Sequence, residues 1–534
     1  MQASSRRAVY LAAIALAVVL STAIKLRFAG ARELWLDETY SAYLAVQPWS
    51  KMLEFTRGDV HPPLYYILLK LWACVFSSTP ISLRMFSLVT NLCSIPLFFH
   101  LATALLRRRW TTVYTFFLFL FSPAILIYAV EVRMYMLAML FTLAASAVFL
   151  RASEHSRPRD WIGFSCLSAL AFYSHYLSIF VTAAHLAAGL VTRSTGARFR
   201  AVLLASGLFG LLVTPWLPTT AHQWELRTRQ DQVVAASRLE PTALNFVGDR
   251  PIPDTTLSDQ VVAYAAATAS NLASLAGLFP ASHPLLTVLL ALPFALCILW
   301  FFCHSTRRNR KATLLATILA TATAGLLVAG FGDERRYLFL LAPYFVLIFG
   351  ITFDEATLRA SLRPFAIGLM VAIGVVYVAG AVRIVRRDYC QPLSTLVEAI
   401  TSKAGAGDII LFHAPYLEIP FRYYAGELSK KFILRGFPLE IESWWQAQPF
   451  RGWGAPMSST AELKQFSTSL GKELKTRGLW LVQSDHGLYD PGSALLASLR
   501  TLQQAERTEL DFAQCHGADE MFRAYSLWHF QPQR

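Results

Sequence analysis

Asp37 and Glu38 stand side by side in LWLDETYSAYLA, residues 34–45, among aromatic and aliphatic neighbours. A carboxylate within hydrogen-bond reach of an alcohol can take its proton as the oxygen attacks. The plainer use of such a residue is to cap the helix that follows. Other ionisable groups recur beside apolar runs: Asp59 and His61 in GDVHPPLYY, Arg84 in SLRMFS, Glu131, Arg133 and Tyr135 in YAVEVRMYM, and His175 in FYSHYL. Asp333, Glu334, Arg335 and Arg336 precede Tyr337. At membrane depth such groups are costly, and a convergent set marks a site. Whether they converge depends on the elements that carry them.

The chain has 534 residues, 55% hydrophobic and 15% charged, too apolar for a soluble globule. Uncharged runs of bilayer length, roughly 17 to 25 residues, recur to about position 380 and then stop. They place spans at about 8–24, 85–106, 110–130, 134–150, two within 161–192, 201–220, 284–303, 312–331, 337–353 and 365–382, about eleven transmembrane helices in all. Between them lie basic segments: Arg6 and Arg7, RRRW, RASEHSRPRD, RSTGARFR, HSTRRNRK, and Arg359 with Arg363. The positive-inside rule makes all of these cytoplasmic, the N-terminus included. Two choices keep that rule consistent. Residues 161–192 form a tight hairpin turning near FYSHYL, and residues 62–76 lie as a helix at the outer interface, where Lys70, Tyr and Trp suit the boundary. A cleaved signal peptide is the competing reading of residues 1–31.

In this topology every candidate site group, from Asp37 to Tyr337, is extracytoplasmic, as are the first outer loop, 25–84, and everything after 382. The expected division is a transmembrane domain, 1–382, and a soluble extracytoplasmic domain, 383–534. In the second, DIILFH, KFILRGF, GLWLVQSD and AYSLWHF read as strands, and 391–403, 461–475 and 494–506 as helices, a small α/β layer. The seven cysteines show no metal-ligand spacing. Cys390 and Cys515, the two in the exported part, are candidates for a disulfide, with free thiols as the alternative. Much of the net charge of +14 sits in cytoplasmic loops, so topology explains it and a nucleic-acid partner is excluded.

Taken in order, the DE pair, HPPL with its tyrosines, the arginine opening the second span, E-x-R-x-Y and the late R-Y resemble the membrane C-type glycosyltransferases that use a lipid-linked sugar, notably the protein O-mannosyltransferase and lipid A aminoarabinose transferase group. The resemblance covers about 380 residues and does not extend to the C-terminal domain. It implies transfer of a sugar from a polyprenyl phosphate to an acceptor hydroxyl outside the cytoplasm, in a multi-pass protein of the cell membrane, here a bacterial inner membrane. Asp37 matches the family's catalytic aspartate and is expected to be the general base, with Glu38 orienting it or the acceptor. A single base acting opposite the leaving phosphate inverts the anomeric centre.

The leaving lipid phosphate needs cations, and arginine's fork matches its oxygens. Arg335 and Arg336, beside Tyr337, are the first candidates; Arg84 and Arg133 follow, with a structural pairing to Glu131 or Glu38 as their alternative. Glu131 and Tyr135 are supporting residues. Asp59, His61 and His175 are the candidate ligands of a divalent cation, since some relatives place a metal near the donor phosphate. Their plainer uses are shaping the turns. Sugar, lipid length and acceptor stay open, the acceptor being a glycolipid, a polysaccharide or a protein Ser/Thr hydroxyl. A lipid or solute transporter is the alternative class, although transporters gather their charges near mid-membrane in repeated halves.

Overall fold

The structure, a computed structural model, describes residues 2–30, 33–191, 196–225, 264, 267–272, 284–305, 310–329, 335–386, 393–413, 415–437, 460–484, 494–502, 505–508 and 525–531. Each of the eleven apolar runs is helical. The helices are α1 (Gln2–Gly30), α2 (Leu36–Val46), α3 (Trp49–Gly58), α4 (Leu64–Val75), α5 (Pro80–Leu105), α6 (Arg109–Leu120), α7 (Pro123–Tyr128), α8 (Tyr135–His155), α9 (Pro158–Ser174), α10 (Ser178–Val191) and α11 (Gly196–Val213). Then come α12 (Pro284–Trp300), α13 (Arg310–Val328), α14 (Ala342–Ala356), entered through helical turns over Arg335–Leu341, and α15 (Arg363–Arg386). Among the described residues seven helices are long and apolar enough to cross a membrane. The run at 110–130 is broken between α6 and α7, because Pro123 disfavours a helical residue before it and cannot donate a backbone hydrogen bond.

At one end of the bundle described residues of three basic segments meet partners across the fold. There Asp354 of α14 accepts the backbone N–H groups of Arg107 and Arg108, both at 3.0 Å, and the Thr111 hydroxyl at 2.6 Å, capping α6 from across the fold. Nearby, Lys311 pairs with Glu154 at 2.8 Å. Gly350 lets α14 lie against α6, since a Cβ there would collide with the Thr115 side chain. Within the bundle the fully buried Lys25 of α1 donates to Asn91 Oδ1 of α5 at 2.9 Å.

At the opposite end lie α2, α3 and α4, the chain between the first two apolar helices. Lys70 of α4, expected at the membrane boundary, is buried instead and donates to the Gln47 carbonyl at 2.5 Å, just past the carboxyl end of α2.

After α15 come α16 (Leu393–Thr401), β1 (Ile409–His413), α17 (Glu418–Ala425), β2 (Ile433–Gly436), α18 (Thr460–Glu473), β3 (Leu479–Ser484), α19 (Ala494–Leu502), β4 (Ala505–Thr508) and β5 (Tyr525–Phe530). The strands form one sheet in the order β2-β1-β3-β5-β4, parallel across β2, β1 and β3 and antiparallel at β5 and β4. Alternation sorts its side chains. Ile409, Leu411, Leu479, Leu481 and Phe530 pack with Leu470, Leu495 and Leu499 of α18 and α19. Ile410, Phe412, Trp480, Val482 and Leu527 share a buried cluster with α16, α17 and the membrane helices. The expected helix 494–506 stops at Leu502, and β4 follows as an edge strand. Cys390 and Cys515 lie outside the described residues.

Candidate active site

Trp35 is the N-cap of α2, with Asp37 and Glu38 in its first turn. Acidic groups there meet the free N–H groups and the positive end of the helix dipole. The two carboxylates are held very differently. Glu38 closes a capping box by accepting the Trp35 N–H at 3.2 Å, and it also accepts the Val132 N–H at 2.9 Å. Arg84 of α5 grips it in bidentate fashion, Nε to Oε1 at 3.2 Å and Nη2 to Oε2 at 2.8 Å. Arg84 is fully buried and also donates to the carbonyls of Ala29 at 2.8 Å and Glu33 at 2.7 Å.

Asp37 is looser. Its Oδ2 lies 3.3 Å from Arg336 Nη1 and 3.8 Å from Arg133 Nη2, and its side chain is 20% exposed against 1% for Glu38. Arg336 is itself 34% exposed and lies over the Tyr337 ring, 5.4 Å from its centre.

The residues around Glu131 form a turn, with the Arg133 N–H donating to the Glu131 carbonyl at 2.7 Å. Glu131 Oε1 accepts the Trp35 indole N–H at 3.0 Å. Arg133 reaches the other way, its Nη2 2.7 Å from His61 Nε2 and its Nη1 3.4 Å from Ser41 Oγ. Burial opposes the guanidinium charge, but Asp37 beside it holds Arg133 well above its ordinary pKa. His175, at the α9–α10 turn, sits 6.0 Å from His61, 5.9 Å from Tyr135 and 6.3 Å from Phe339, ring centre to ring centre. Burial, then Arg133 and Arg336, push His175 down to about 3, so its ring is neutral. Burial pushes Asp59 up to about 6 against the pull of Arg133, and Tyr66 donates to its Oδ2 at 3.0 Å.

The structure thus brings Asp37, Glu38, Arg84, Glu131, Arg133, Tyr135, His61, His175, Arg336 and Tyr337 to one end of the bundle. Arg84 serves Glu38 and two backbone carbonyls, the structural use of the two open to it. The side chain of Arg335, and Asp333 and Glu334, lie outside the described residues. Of the three candidate ligands, Asp59 accepts a hydrogen bond from Tyr66, His61 lies against Arg133, and among the described residues no group of three His, Cys, Asp or Glu side chains is gathered around one point. Trp35, Ser41 and the Val132 N–H were not legible as site groups, since a backbone donor and an indole carry no spacing signal.

Residues 60–218 match the family described as dolichyl-phosphate-mannose-protein mannosyltransferase. No sequence among the curated proteins matches the chain significantly. Among solved structures it is similar to ArnT from Cupriavidus metallidurans in the apo state, with 13% identity, a TM-score of 0.57 and 100% of each chain covered. It is similar to the same protein bound to undecaprenyl phosphate, with 13% identity, a TM-score of 0.56, 99% of this chain and 100% of that one. The Archaeoglobus fulgidus oligosaccharyltransferase in complex with Zn and sulfate follows, with 11% identity, a TM-score of 0.51, 87% of this chain and 67% of that one. At such identities the likeness is one of fold. The family match and the shared fold bear out the resemblance to membrane C-type glycosyltransferases read from the motifs.

Proposed function

We propose that the protein transfers a sugar from a polyprenyl-phosphate donor to an acceptor hydroxyl at the outer face of the membrane, with inversion, and that Asp37 is the general base. The observation that carries this is the unequal holding of the carboxylate pair: Glu38 is saturated, whereas Asp37 rests on cations and keeps an exposed face. The acceptor oxygen attacks the anomeric carbon, the bond to the phosphate oxygen breaks, and the hydroxyl proton passes to Asp37. A donor phosphate arriving beside Tyr337 competes for Arg336. It exchanges the Arg336–Asp37 pair for an Arg336–phosphate pair and frees Asp37 to accept the proton. Arg133 and His61 line the same end and stabilise the leaving phosphate.

The ArnT structure that holds undecaprenyl phosphate supports a lipid-linked donor; the sugar is a hexosyl or pentosyl group, and the family match, whose description names mannose, supports the hexosyl. The acceptor class is a glycolipid, a polysaccharide or a protein Ser/Thr hydroxyl. The meeting of three basic segments at one end supports a cytoplasmic N-terminus, eleven spans and a C-terminal unit, 383–534, outside the cytoplasm. A transporter is disfavoured because the charges crowd one surface. The test is purified Asp37→Asn with a lipid-linked sugar: binding is kept and transfer lost. Near-normal turnover would remove Asp37 as base.

A further inference from the structure

Glu33, Leu34 and Trp35 form the strap that leads into α2 and Asp37. Its partners come from the far end of the chain. The Leu34 N–H donates to the Tyr424 hydroxyl of α17 at 2.9 Å. The Glu33 carboxylate accepts the Ser394 N–H at 3.0 Å and the Ser394 hydroxyl, capping the first turn of α16 in place of a local residue. Tyr423 donates to the Ser78 carbonyl at 2.9 Å, on the segment that enters α5 and Arg84. From the bundle side Arg84 holds the Glu33 carbonyl, so the strap is gripped on both sides. The contact is apolar as well as polar: Leu34 is fully buried, and Leu393, Leu396, Val397, Ile419 and Phe421 belong to the same buried cluster.

We propose that α16 and α17 form a clamp on this strap that sets the position of Asp37, with Tyr424 and Glu33 as positioning residues, so that the C-terminal unit completes the active site. The inference rests on Asp37 being the base. Leu34 lies three residues before it, and Trp35, the N-cap, is the only residue between Leu34 and α2. The Leu34 peptide lies outside any helix or strand, and without the tyrosine hydroxyl its buried N–H has lost its partner. A base displaced by about 1 Å can lose on the order of a hundredfold in rate, so partial release costs turnover before it costs binding.

The experiment uses the full-length protein in lipid, with turnover counted per donor-binding site so that unfolded protein is not scored. Glu33→Gln/Tyr424→Phe is expected to lower kcat per site about tenfold while KM for the donor changes less than about twofold. Ser498→Ala, which breaks the 2.8 Å bond to Ser467 on the far side of the sheet, is the stability control and leaves kcat per site unchanged. Should the double variant fail to fold, Tyr424→Phe alone removes a single oxygen and still reports the effect. Wild-type kcat per site in the clamp variants, with Asp37→Asn inactive beside them, overturns the clamp. Turnover retained by Asp37→Asn overturns the base, and the clamp with it.

Discussion

At the basic end of the bundle Asp354 receives two backbone N–H groups and a hydroxyl, all at 3.0 Å or less, and is buried. At the other end the Asp37 carboxylate touches two guanidinium groups among the described residues, at 3.3 and 3.8 Å, and its side chain is 20% exposed. Both carboxylates meet the start of a helix, Asp37 that of its own and Asp354, from the last turn of α14, that of α6. A carboxylate with its lone pairs filled by fixed donors is part of the architecture. One held by a mobile cation can give that cation up and take a proton. Glu38, one residue from Asp37, falls with Asp354, which shows how little the sequence neighbourhood alone decides.

The largest effect that would test this contrast is loss of the base. Asp37→Asn should lower turnover by about a thousandfold with donor binding retained, read by single-turnover transfer and by donor titration. Next is Arg84→Ala, which leaves Glu38 as a buried, uncompensated charge. We expect about 3–5 kcal/mol of lost stability, seen as a lowered unfolding midpoint in detergent. Asp354→Ala should cost about 1–3 kcal/mol by the same measurement, through donors left unsatisfied, and leave kcat per folded site unchanged. A fall in kcat there would erase the distinction between the two ends. Arg336→Ala should weaken donor binding about tenfold, roughly the worth of one charge-assisted contact, measured with polyprenyl phosphate alone.

The smallest effect is a pH dependence at Asp59. Its folded pKa of about 6 is raised by burial above the ordinary aspartate range, so the folded protein holds a proton that the unfolded chain has released. Its contribution to stability is therefore full in acid and is lost as pH rises through about 6. Asp59→Asn should flatten stability over that window and leave the variant the more stable one near neutrality, checked by unfolding midpoints across pH.

Much of this was readable before any coordinates. Hydropathy located all seven of the helices that are long and apolar enough to cross a membrane among the described residues, because burial in lipid constrains composition directly. The strands at 409–413, 433–436, 479–484 and 525–530 were legible as short apolar runs set between helical patterns. The polar AERT of β4 was not, since an edge strand needs no apolar face and its residues continue the period of α19. At the site the residues were legible and their pairing was not. Arg84 reaches Glu38 across 46 positions, and Arg336 reaches Asp37 across 299, distances over which no local pattern carries information. The strap's partners, Ser394 and Tyr424, are farther still, 361 and 390 positions away.

Lys25 bears on how the chain is made. Lys25 lies in the last turns of α1, buried at the outer boundary expected for the first span, and its partner Asn91 lies 66 positions later in the chain. As α1 emerges from the ribosome it therefore has no acceptor for that ammonium group, and its seat is incomplete until α5 has entered the bilayer. Seating of these two helices is therefore expected to be coupled, and a block placed before Asn91 is translated should leave α1 more easily extracted from the membrane than a block placed after α5.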